Sequence, residues 1–470
     1  MDKKMVRNII NLVISNFMSL AISIFSSFIT PIILGKSGYG YYKIFTLYTT
    51  YVPLLHIGFI DGVFIRNAGK RISDFSVKKF RAYTKFIFLF EGLLSLLLVI
   101  ISLILFDNMY KEIFISVAIF SFLMNFVTYF QFISKCGMKF DELAMISRMQ
   151  SLIVVFFLSL SFIMYKFLSY DVSVTYYLFY INFSMFVALI YYLFKYRFIV
   201  FGKRRTIFSE KKNIILFFKL GFTVMISYQI TMIMINADNQ FISMFFSVKE
   251  YGNYAFSYSL ASLLITLFAA ISSVTLPYMK KMGKESVLRN HSDNISYLLI
   301  IIFVILLSYY PISIIIINYI PGYEHSLAYL RYIFPGVGIT CIVQSYLFND
   351  FIMFKRIKKF CYISFLNVLL DFGIYYILFM ISKNSFIIAF SSVLLLMIWY
   401  LSLEIYMKNQ MPTKYLKNFC YLFILSISFI FINNAFSLFI GLIIYLLVLI
   451  IFTVLFYFRL IINIGDIVTK

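Results

Sequence analysis

Charged side chains are scarce in this sequence. Only 13% of its 470 residues are Asp, Glu, Lys or Arg, whereas about a quarter of a typical soluble chain is charged. Hydrophobic residues make up 62% of the chain, and the mean hydropathy is +0.93. Because a soluble domain cannot bury so much apolar surface, the composition excludes a water-soluble globular protein and predicts a membrane protein.

Acidic residues number 19 against 41 basic ones, which gives a formal net charge of +22. In a soluble protein, this balance would suggest nucleic acid as a partner. Here the basic residues stand between long apolar runs, so we interpret them as cytoplasmic loops that face anionic membrane lipids. We therefore expect no nucleic-acid partner.

Cysteine occurs only four times, at Cys136, Cys341, Cys361 and Cys420, always in or beside apolar stretches. These positions lack the spacing of a metal site or a disulfide framework, and we interpret them as small buried hydrophobes. The sequence also lacks a phosphate-binding glycine loop, a zinc motif and a nucleophile elbow. We therefore predict neither an ATP-driven pump within this chain nor a bound metal or cofactor.

Long apolar runs dominate what is present. A helix needs about 20 apolar residues to cross the roughly 30 Å hydrocarbon core of a bilayer. Fourteen segments qualify, at residues 8–34, 44–64, 86–106, 112–134, 149–168, 174–194, 216–237, 252–277, 295–319, 330–351, 361–381, 385–407, 418–434 and 437–458. The sequence predicts an all-α polytopic membrane protein of about 14 transmembrane helices. Twelve or thirteen spans with re-entrant pieces stay open as alternatives.

The positive-inside rule orients these segments. With a cytoplasmic N-terminus, the basic residues concentrate in every second connection. The outer connections hold only Lys36, Lys43, Lys111, Lys166, Lys249, Arg331 and Lys383 of the 41 lysines and arginines. A missed or extra helix would reverse this alternation downstream, so the pattern predicts an even number of spans with both termini in the cytoplasm.

The connections between the segments are short. The longest outer one covers about residues 238–251, and the longest inner ones cover about residues 65–85 and 195–215. Enzymes that act at a membrane surface usually carry a catalytic loop or domain outside the hydrocarbon. We therefore predict that the protein is not an enzyme and has no catalytic residues.

A short motif occurs twice. Tyr39-Gly40-Tyr41-Tyr42 and Tyr251-Gly252-Asn253-Tyr254 share the pattern Tyr-Gly-x-Tyr at an offset of 212 residues, and each follows an odd-numbered helix. Transporters are often built from such repeats. Six helices separate the copies, which predicts two bundles of the same orientation. We expect the glycines to form tight turns at the bilayer surface and the tyrosines to anchor at headgroup level.

Three motifs carry a resemblance to a known family. They are Pro31-Ile32-Ile33-Leu34-Gly35 followed by Tyr39-Gly40-x-Tyr42, then Gly58-Phe59-x-x-Gly62-x-x-x-Arg66, and then Asp238-Asn239-Gln240-Phe241-Ile242 leading to Glu250-Tyr251-Gly252-Asn253-Tyr254-Ala255. With these motifs, the chain resembles the polysaccharide-type flippases, the Wzx-like branch of the multidrug/oligosaccharidyl-lipid/polysaccharide exporter superfamily.

The resemblance implies two six-helix lobes, at 1–212 and 213–408, around a central cavity that opens to each side in turn, with two additional helices at 409–470. It implies a bacterial inner-membrane flippase for an undecaprenyl-diphosphate-linked oligosaccharide used in O-antigen or capsule assembly. It also implies coupling to H+ or Na+, and work beside a polysaccharide polymerase and a chain-length partner. A cation-coupled multidrug exporter of the same superfamily and a membrane glycan polymerase or ligase are the alternatives, and a channel is a weaker one.

Polar residues within the apolar segments are the candidate functional residues, because a charge in a spanning helix costs at least about 2.5 kcal/mol. Arg66, Arg148 and Lys219 would form a cationic rim at the inner face that receives the diphosphate. The competing interpretation is ordinary snorkelling at the interface.

Two carboxylates lie deep in predicted spans. Glu91 and Asp371 are candidates for ion coupling, because hydrocarbon favours a protonated carboxyl group. The alternative is a neutral or paired structural acid. Glu404, near the cytoplasmic end of its helix, is expected to lie at the interface.

Polar residues near helix ends suggest a substrate site. Asp238, Gln240 and Gln344 are candidates for binding sugar hydroxyls or an ion. A helix end that reaches water, or hydrogen bonding between helices, would explain the same residues without a substrate.

Overall fold

The computed structural model describes residues 3–70, 72–203, 205–282, 284–408 and 413–468, and within these ranges the chain is helical with no strand. The first eight helices are α1 (Lys3–Thr49), α2 (Phe59–Asn67), α3 (Val77–Leu105), α4 (Asn108–Cys136), α5 (Phe140–Phe167), α6 (Val174–Lys195), α7 (Arg197–Val200) and α8 (Lys211–Ile235). The others are α9 (Ala237–Phe245), α10 (Val248–Met282), α11 (Lys284–Ile305), α12 (Tyr309–Tyr319), α13 (Glu324–Ile342), α14 (Phe348–Met353), α15 (Ile357–Ser382), α16 (Ser385–Lys408), α17 (Tyr415–Ala435) and α18 (Leu438–Val468).

The predicted class, an all-α polytopic membrane protein, is confirmed. Twelve helical stretches among the described residues are long and apolar enough to cross a membrane. The count is lower than fourteen because the predicted segments 8–34 and 44–64 join in one apolar stretch, Met18–Leu54. The predicted segment 252–277 lies on α10, and many of its side chains fall outside the described ones.

Large apolar side chains cover the outer surface of the helices. On α3, Leu93 is 64% exposed, Leu96 is 60% exposed and Ile104 is 74% exposed. A continuous exposed apolar face would make a water-soluble protein aggregate. In a bilayer the same face meets lipid tails, so the exposure agrees with the composition.

The described residues form two compact units. The first is Met1–Ile233 with Val248–Gly252, and the second is Met234–Ser247 with Asn253–Lys470. In the first unit, the core is rich in aromatic rings, for example Phe130, which stacks on Tyr192 and Tyr196 with ring centroids 5.8 Å apart in both pairs. In the second unit, the buried Trp399 donates from Nε1 to Ser364 Oγ at 2.9 Å.

The predicted second membrane helix, residues 44–64, is interrupted. Helix α1 bends at Gly35, which has φ +62°, and it ends at Thr49. Pro53 then starts a 3-10 turn, and Gly58, with φ +81°, precedes α2. Only glycine adopts such positive φ values without strain, so these residues break what hydropathy alone interprets as one continuous span.

Glycines also bring backbones into direct contact inside the first unit. A Cβ atom on Gly221 of α8 would collide with backbone atoms of Gly58 and Gly62, and one on Gly62 would collide with the backbone of Phe217. Helices approach this closely only where small residues face each other. The glycines of the motif that ends in Arg66 therefore fix α2 against α8.

The expected role of the repeated motif is wrong. Gly40 and Gly252 lie within α1 and α10 rather than in turns. A Cβ on Gly40 would collide with the carbonyl oxygen of Val248, and one on Gly252 with that of Lys36. Lys36 and Val248 are themselves 212 residues apart, so the two copies pack reciprocally. The glycines permit this helix crossing.

The motif tyrosines are not headgroup anchors either. Tyr39 and Tyr251 are each only 1% exposed, and Tyr254 is fully buried. Tyr251 Oη donates to the carbonyl oxygen of Lys43 at 3.4 Å. Their hydroxyl groups serve interior contacts, because a buried Tyr keeps its apolar ring packed and needs a partner for its hydroxyl.

Candidate functional site

A basic pocket lies in the first unit between α2, the start of α3 and the start of α8. Its volume is about 200 Å³, and its lining residues are Arg66, Asn67, Lys70, Asp74, Phe75, Ser76, Lys79, Phe80, Tyr83, Asn213 and Phe217. We call this set the basic pocket. Arg66 lies in the last turn of α2, and Lys79 lies in the first turn of α3. The N-terminal turn of a helix carries partial positive charge, which adds to that of the cations.

The charge of the basic pocket is positive. Arg66, Lys70 and Lys79 face a single lining carboxylate, Asp74. Glu210 lies just beyond Tyr83, whose hydroxyl group donates to it at 2.9 Å, but Arg205 already pairs with Glu210 at 3.2 Å. The arrangement suits an anionic ligand, since Arg and Lys are the side chains that bind phosphate oxygens.

Two of the three predicted rim residues lie elsewhere. Arg148, on α5, is exposed and donates from Nε to the carbonyl oxygen of Ala144 in its own helix at 3.3 Å. Lys219, on α8, is also exposed. Neither lines the basic pocket, whereas Lys70 and Lys79 do. The structure therefore groups Arg66 with Lys70, whose position just beyond the helix had favoured ordinary interfacial charge, and with Lys79, which the apolar segments do not include.

Glu91, also in the first unit, is fully buried on α3. Its Oε2 accepts a hydrogen bond from Asn125 Nδ2 of α4 at 3.0 Å, and Asn125 also lies 3.3 Å from the carbonyl oxygen of Val52. The prediction that Glu91 lies in the interior therefore agrees with its burial. Its role in ion coupling stays a prediction.

An acidic cluster occupies the second unit where α9 and α10 begin. Asp238 is 5% exposed; its Oδ2 accepts from Tyr254 Oη at 2.5 Å, and its Oδ1 accepts from the backbone N–H of Asn239 at 2.7 Å. The Ser392 hydroxyl of α16 lies within hydrogen-bonding reach of the same carboxylate. We call Asp238, Tyr254, Asp371 and Ser392 the acidic cluster.

Asp371 completes the acidic cluster from α15. It is 1% exposed, and its Oδ1 has no hydrogen-bond partner among the described residues. Packing of Phe241 of α9 on Tyr375 of α15, with ring centroids 5.6 Å apart, holds the two helices together. The second unit thus contains two buried carboxylates on adjacent helices, and an ionised carboxylate without a nearby cation is costly in such a setting.

The remaining predicted residues are dispersed in the second unit. Gln240 is half-buried on α9, two residues after Asp238. Gln344 is half-buried in a π-helical turn, Val343–Leu347, between α13 and α14. The motif Tyr-Gly-x-Tyr predicts a structural role and no part in a binding site. Tyr254, the last residue of its second copy, nevertheless donates a hydrogen bond to the candidate residue Asp238.

Glu404, expected at the interface, is enclosed by protein and does not reach water. It is 1% exposed, and its Oε1 lies 3.3 Å from His291 Nε2. Its position three residues before the predicted helix end at residue 407 favoured the interface. However, α16 continues to Lys408 and packs against α13 and α17, which enclose that last turn.

Comparisons with known proteins identify a matching family and similar solved structures. The family model described as polysaccharide biosynthesis protein matches residues 5–283. The structure is similar to the lipid II flippase MurJ in an inward closed conformation, with a TM-score of 0.66, 16% sequence identity, and coverage of 97% of this chain and 100% of that one. It is also similar to the eukaryotic MATE transporter AtDTX14, with a TM-score of 0.50, 12% identity, and coverage of 89% and 98%. No curated protein sequence matches the chain significantly.

Proposed function

The chain belongs to the polysaccharide biosynthesis protein family, and from this premise we propose that it is a flippase for an undecaprenyl-diphosphate-linked oligosaccharide. Its fold is that of flippases and exporters. The observation that carries the proposal is the basic pocket, because Arg66, Lys70 and Lys79 offer three cations to one anionic group. A diphosphate is the one strongly anionic part of such a lipid.

The cargo is proposed to cross by alternating access. Arg66 would bind one phosphate bidentately through its planar guanidinium group, while Lys70 and Lys79 neutralise the remaining charge. The oligosaccharide would then enter a central cavity between six-helix lobes at 1–212 and 213–408, with two additional helices at 409–470. Under this proposal the protein lies in the bacterial inner membrane with both termini in the cytoplasm, and it catalyses no reaction.

Anionic cargo distinguishes this proposal from its closest rival. A multidrug exporter of the same superfamily would have the same fold. The positive charge of the basic pocket favours an anionic ligand over a cationic one. O-antigen or capsule assembly is the proposed pathway, with a polysaccharide polymerase and a chain-length protein as the downstream partners.

Loss of the protein is expected to trap its cargo. In cells depleted of this chain, undecaprenyl-linked oligosaccharide units should accumulate on the inner leaflet, and labelling with a membrane-impermeant lectin in spheroplasts measures the fraction that faces outwards. Re-expression of the chain should restore outward-facing units. Intact polymer with altered drug tolerance would instead identify an exporter, and single units already on the outer face would identify a polymerase.

The acidic cluster is proposed to couple transport to an ion gradient. Asp371→Asn and Asp238→Asn should abolish acceleration by an H+ or Na+ gradient in vesicles, because each removes one of the two charges that ion binding compensates. Glu91→Gln tests the corresponding carboxylate of the first unit. Asp107→Asn is the matched control, since Asp107 is 94% exposed and pairs only with Lys111 at 4.0 Å among the described residues. A full gradient response in all three variants would contradict the assignment.

A further inference from the structure

A second buried ionic group lies in the second unit, apart from the acidic cluster. His291 of α11 has Nδ1 at 2.8 Å from Asp350 Oδ2 of α14 and Nε2 at 3.3 Å from Glu404 Oε1 of α16. The side chains of His291 and Asp350 are fully buried, and that of Glu404 is 1% exposed. We call these three residues the histidine triad. A single imidazole thus lies between carboxylates of two other helices, at ion-pair distance but outside hydrogen-bond angles.

The charge of the histidine triad changes with one proton. With a neutral imidazole and both carboxylates ionised, the group carries two negative charges, whereas one proton on the imidazole leaves a single net negative charge. No lysine or arginine pairs with it among the described residues. An unbalanced charge in a dry interior is costly, so a proton on His291 offsets part of that cost.

The aromatic neighbours of the triad are tyrosines. Tyr346, whose ring centroid is 5.6 Å from that of His291, accepts from Asn294 Nδ2 at 2.8 Å. Tyr400 is a buried neighbour of Glu404 on α16, and Tyr457 of α18 lies beyond Tyr400. These phenols are neutral near physiological pH.

Three lysines lie at the end of α16 and the start of α17. Lys414, directly before α17, binds Asp293 at 3.0 Å on the surface, with 57% and 39% of their side chains exposed. Lys408, at the end of α16, lies 5.0 Å from a tyrosine ring, and Lys417 of α17 lies 5.2 Å from the ring of Tyr457. Among the described residues, the ion pairs of the triad are the two within it.

Imidazole geometry makes the triad sensitive to its proton content. A protonated imidazole donates from both nitrogens and joins both carboxylates, whereas a neutral one has a single N–H. Loss of a proton would leave one nitrogen lone pair facing a carboxylate oxygen. The longer contact, from Nε2 to Glu404, is the one that would break first.

Asp350 follows a stretch of unusual backbone geometry. A π-helical turn at Val343–Leu347 directly precedes α14, so Asp350 lies three residues beyond it. Such turns occur frequently at functional sites, because they shift the register of the side chains that follow. Here the shifted register directs Asp350 at His291.

We propose that the histidine triad is a proton-binding site that takes up and releases one proton in each transport cycle. The proton enters from water and is held between His291 Nε2 and Glu404 Oε1. Its uptake removes one of the two negative charges of the triad and lets Nε2 donate to Glu404. Its release leaves a lone pair facing that carboxylate and weakens the contact between α11 and α16, so proton exchange accompanies movement of these helices. The role in transport rests on the proposed flippase function, whereas proton binding itself does not.

Nuclear magnetic resonance tests proton binding without any cargo. The chain contains only three histidines, so imidazole ¹⁵N signals of the full-length protein in lipid nanodiscs can be assigned with His56→Asn and His325→Asn variants. In Glu404→Gln the charge on His291 should respond to pH differently from the wild type between about pH 5 and 9. If the His291 signals of both proteins stay unchanged across that pH range, the proposal is overturned and the triad is a structural contact only.

Transport measurements test the coupling. Glu404→Gln keeps the shape of the side chain, so it should leave the protein folded and its transport no longer accelerated by a pH gradient. Asp293→Asn, two residues from His291 but on the surface, should retain the wild-type gradient response. A wild-type pH profile in Glu404→Gln would overturn the coupling role. If the wild-type chain moves no lipid-linked sugar but His291 still titrates with Glu404, the flippase proposal fails and the proton site stands.

Discussion

Replacing Gly221 with alanine is expected to destabilise the first unit by about 1–3 kcal/mol or more, the range typical of overpacked interiors. A Cβ atom at this position would collide with backbone atoms of Gly58 and Gly62. Backbone atoms cannot move aside as the end of a flexible side chain can. The substitution therefore has to push α2 and α8 apart, and α2 carries Arg66 of the basic pocket.

Thermal unfolding in detergent, together with the yield of monodisperse protein, measures this effect. Gly373→Ala is the matched control, since a Cβ on Gly373 of α15 would meet no atom within 4 Å. Gly92→Ala is a second control, because its Cβ would make one ordinary contact, at 3.8 Å, with Phe122. Both controls should unfold at the wild-type temperature. A wild-type midpoint for Gly221→Ala would show that the contact between α2 and α8 is looser than the structure indicates.

Hydropathy was sufficient to predict the class and the approximate spans, because the bilayer imposes length and apolarity on every spanning helix. It could not predict the break before α2. Residues 44–64 are mostly apolar, and the interruption depends on Pro53 and on the left-handed backbone of Gly58. A hydropathy window averages over such positions, although Pro and Gly are the residues that mark them.

The repeated motif shows a different limit. Its spacing indicated a repeat, but the sequence could not show that Gly40 and Gly252 serve the contact between its two copies. Tyrosine is common both at membrane interfaces and in packed interiors. Only the fold shows that Tyr254 donates a hydrogen bond to Asp238.

The sequence could not predict the histidine triad, for a related reason. His291, Asp350 and Glu404 lie far apart in sequence, and each stands near a predicted helix end where polar residues are usually solvated. The sequence allows an estimate of how far along a spanning helix a residue lies. It does not show which residues of other helices lie beside it. A polar residue inside an apolar segment therefore indicates an interior position, while its partner has to come from the fold.

The basic pocket provides the most direct test of cargo recognition. Arg66→Gln is expected to weaken binding of a polyprenyl-diphosphate probe roughly tenfold. A hydrogen bond to a charged group contributes about 1.5–3 kcal/mol, and the exposure of Arg66 favours the lower end, which corresponds to about one factor of ten in affinity. The triple variant with Lys70→Gln and Lys79→Gln should lose most binding, because it removes all three lysine and arginine side chains that line the basic pocket.

Binding to purified protein in nanodiscs and flipping in vesicles should fall together in these variants. Lys78→Gln is the matched control, because Lys78 neighbours Lys79 on α3 but does not line the basic pocket. Arg148→Gln and Lys219→Gln separate two explanations: a loss comparable to that of Arg66→Gln would favour a wide cationic rim, and wild-type behaviour would favour the compact basic pocket. Wild-type binding by the triple variant would remove the basic pocket from the transport mechanism, since that variant leaves no lysine or arginine among its lining residues.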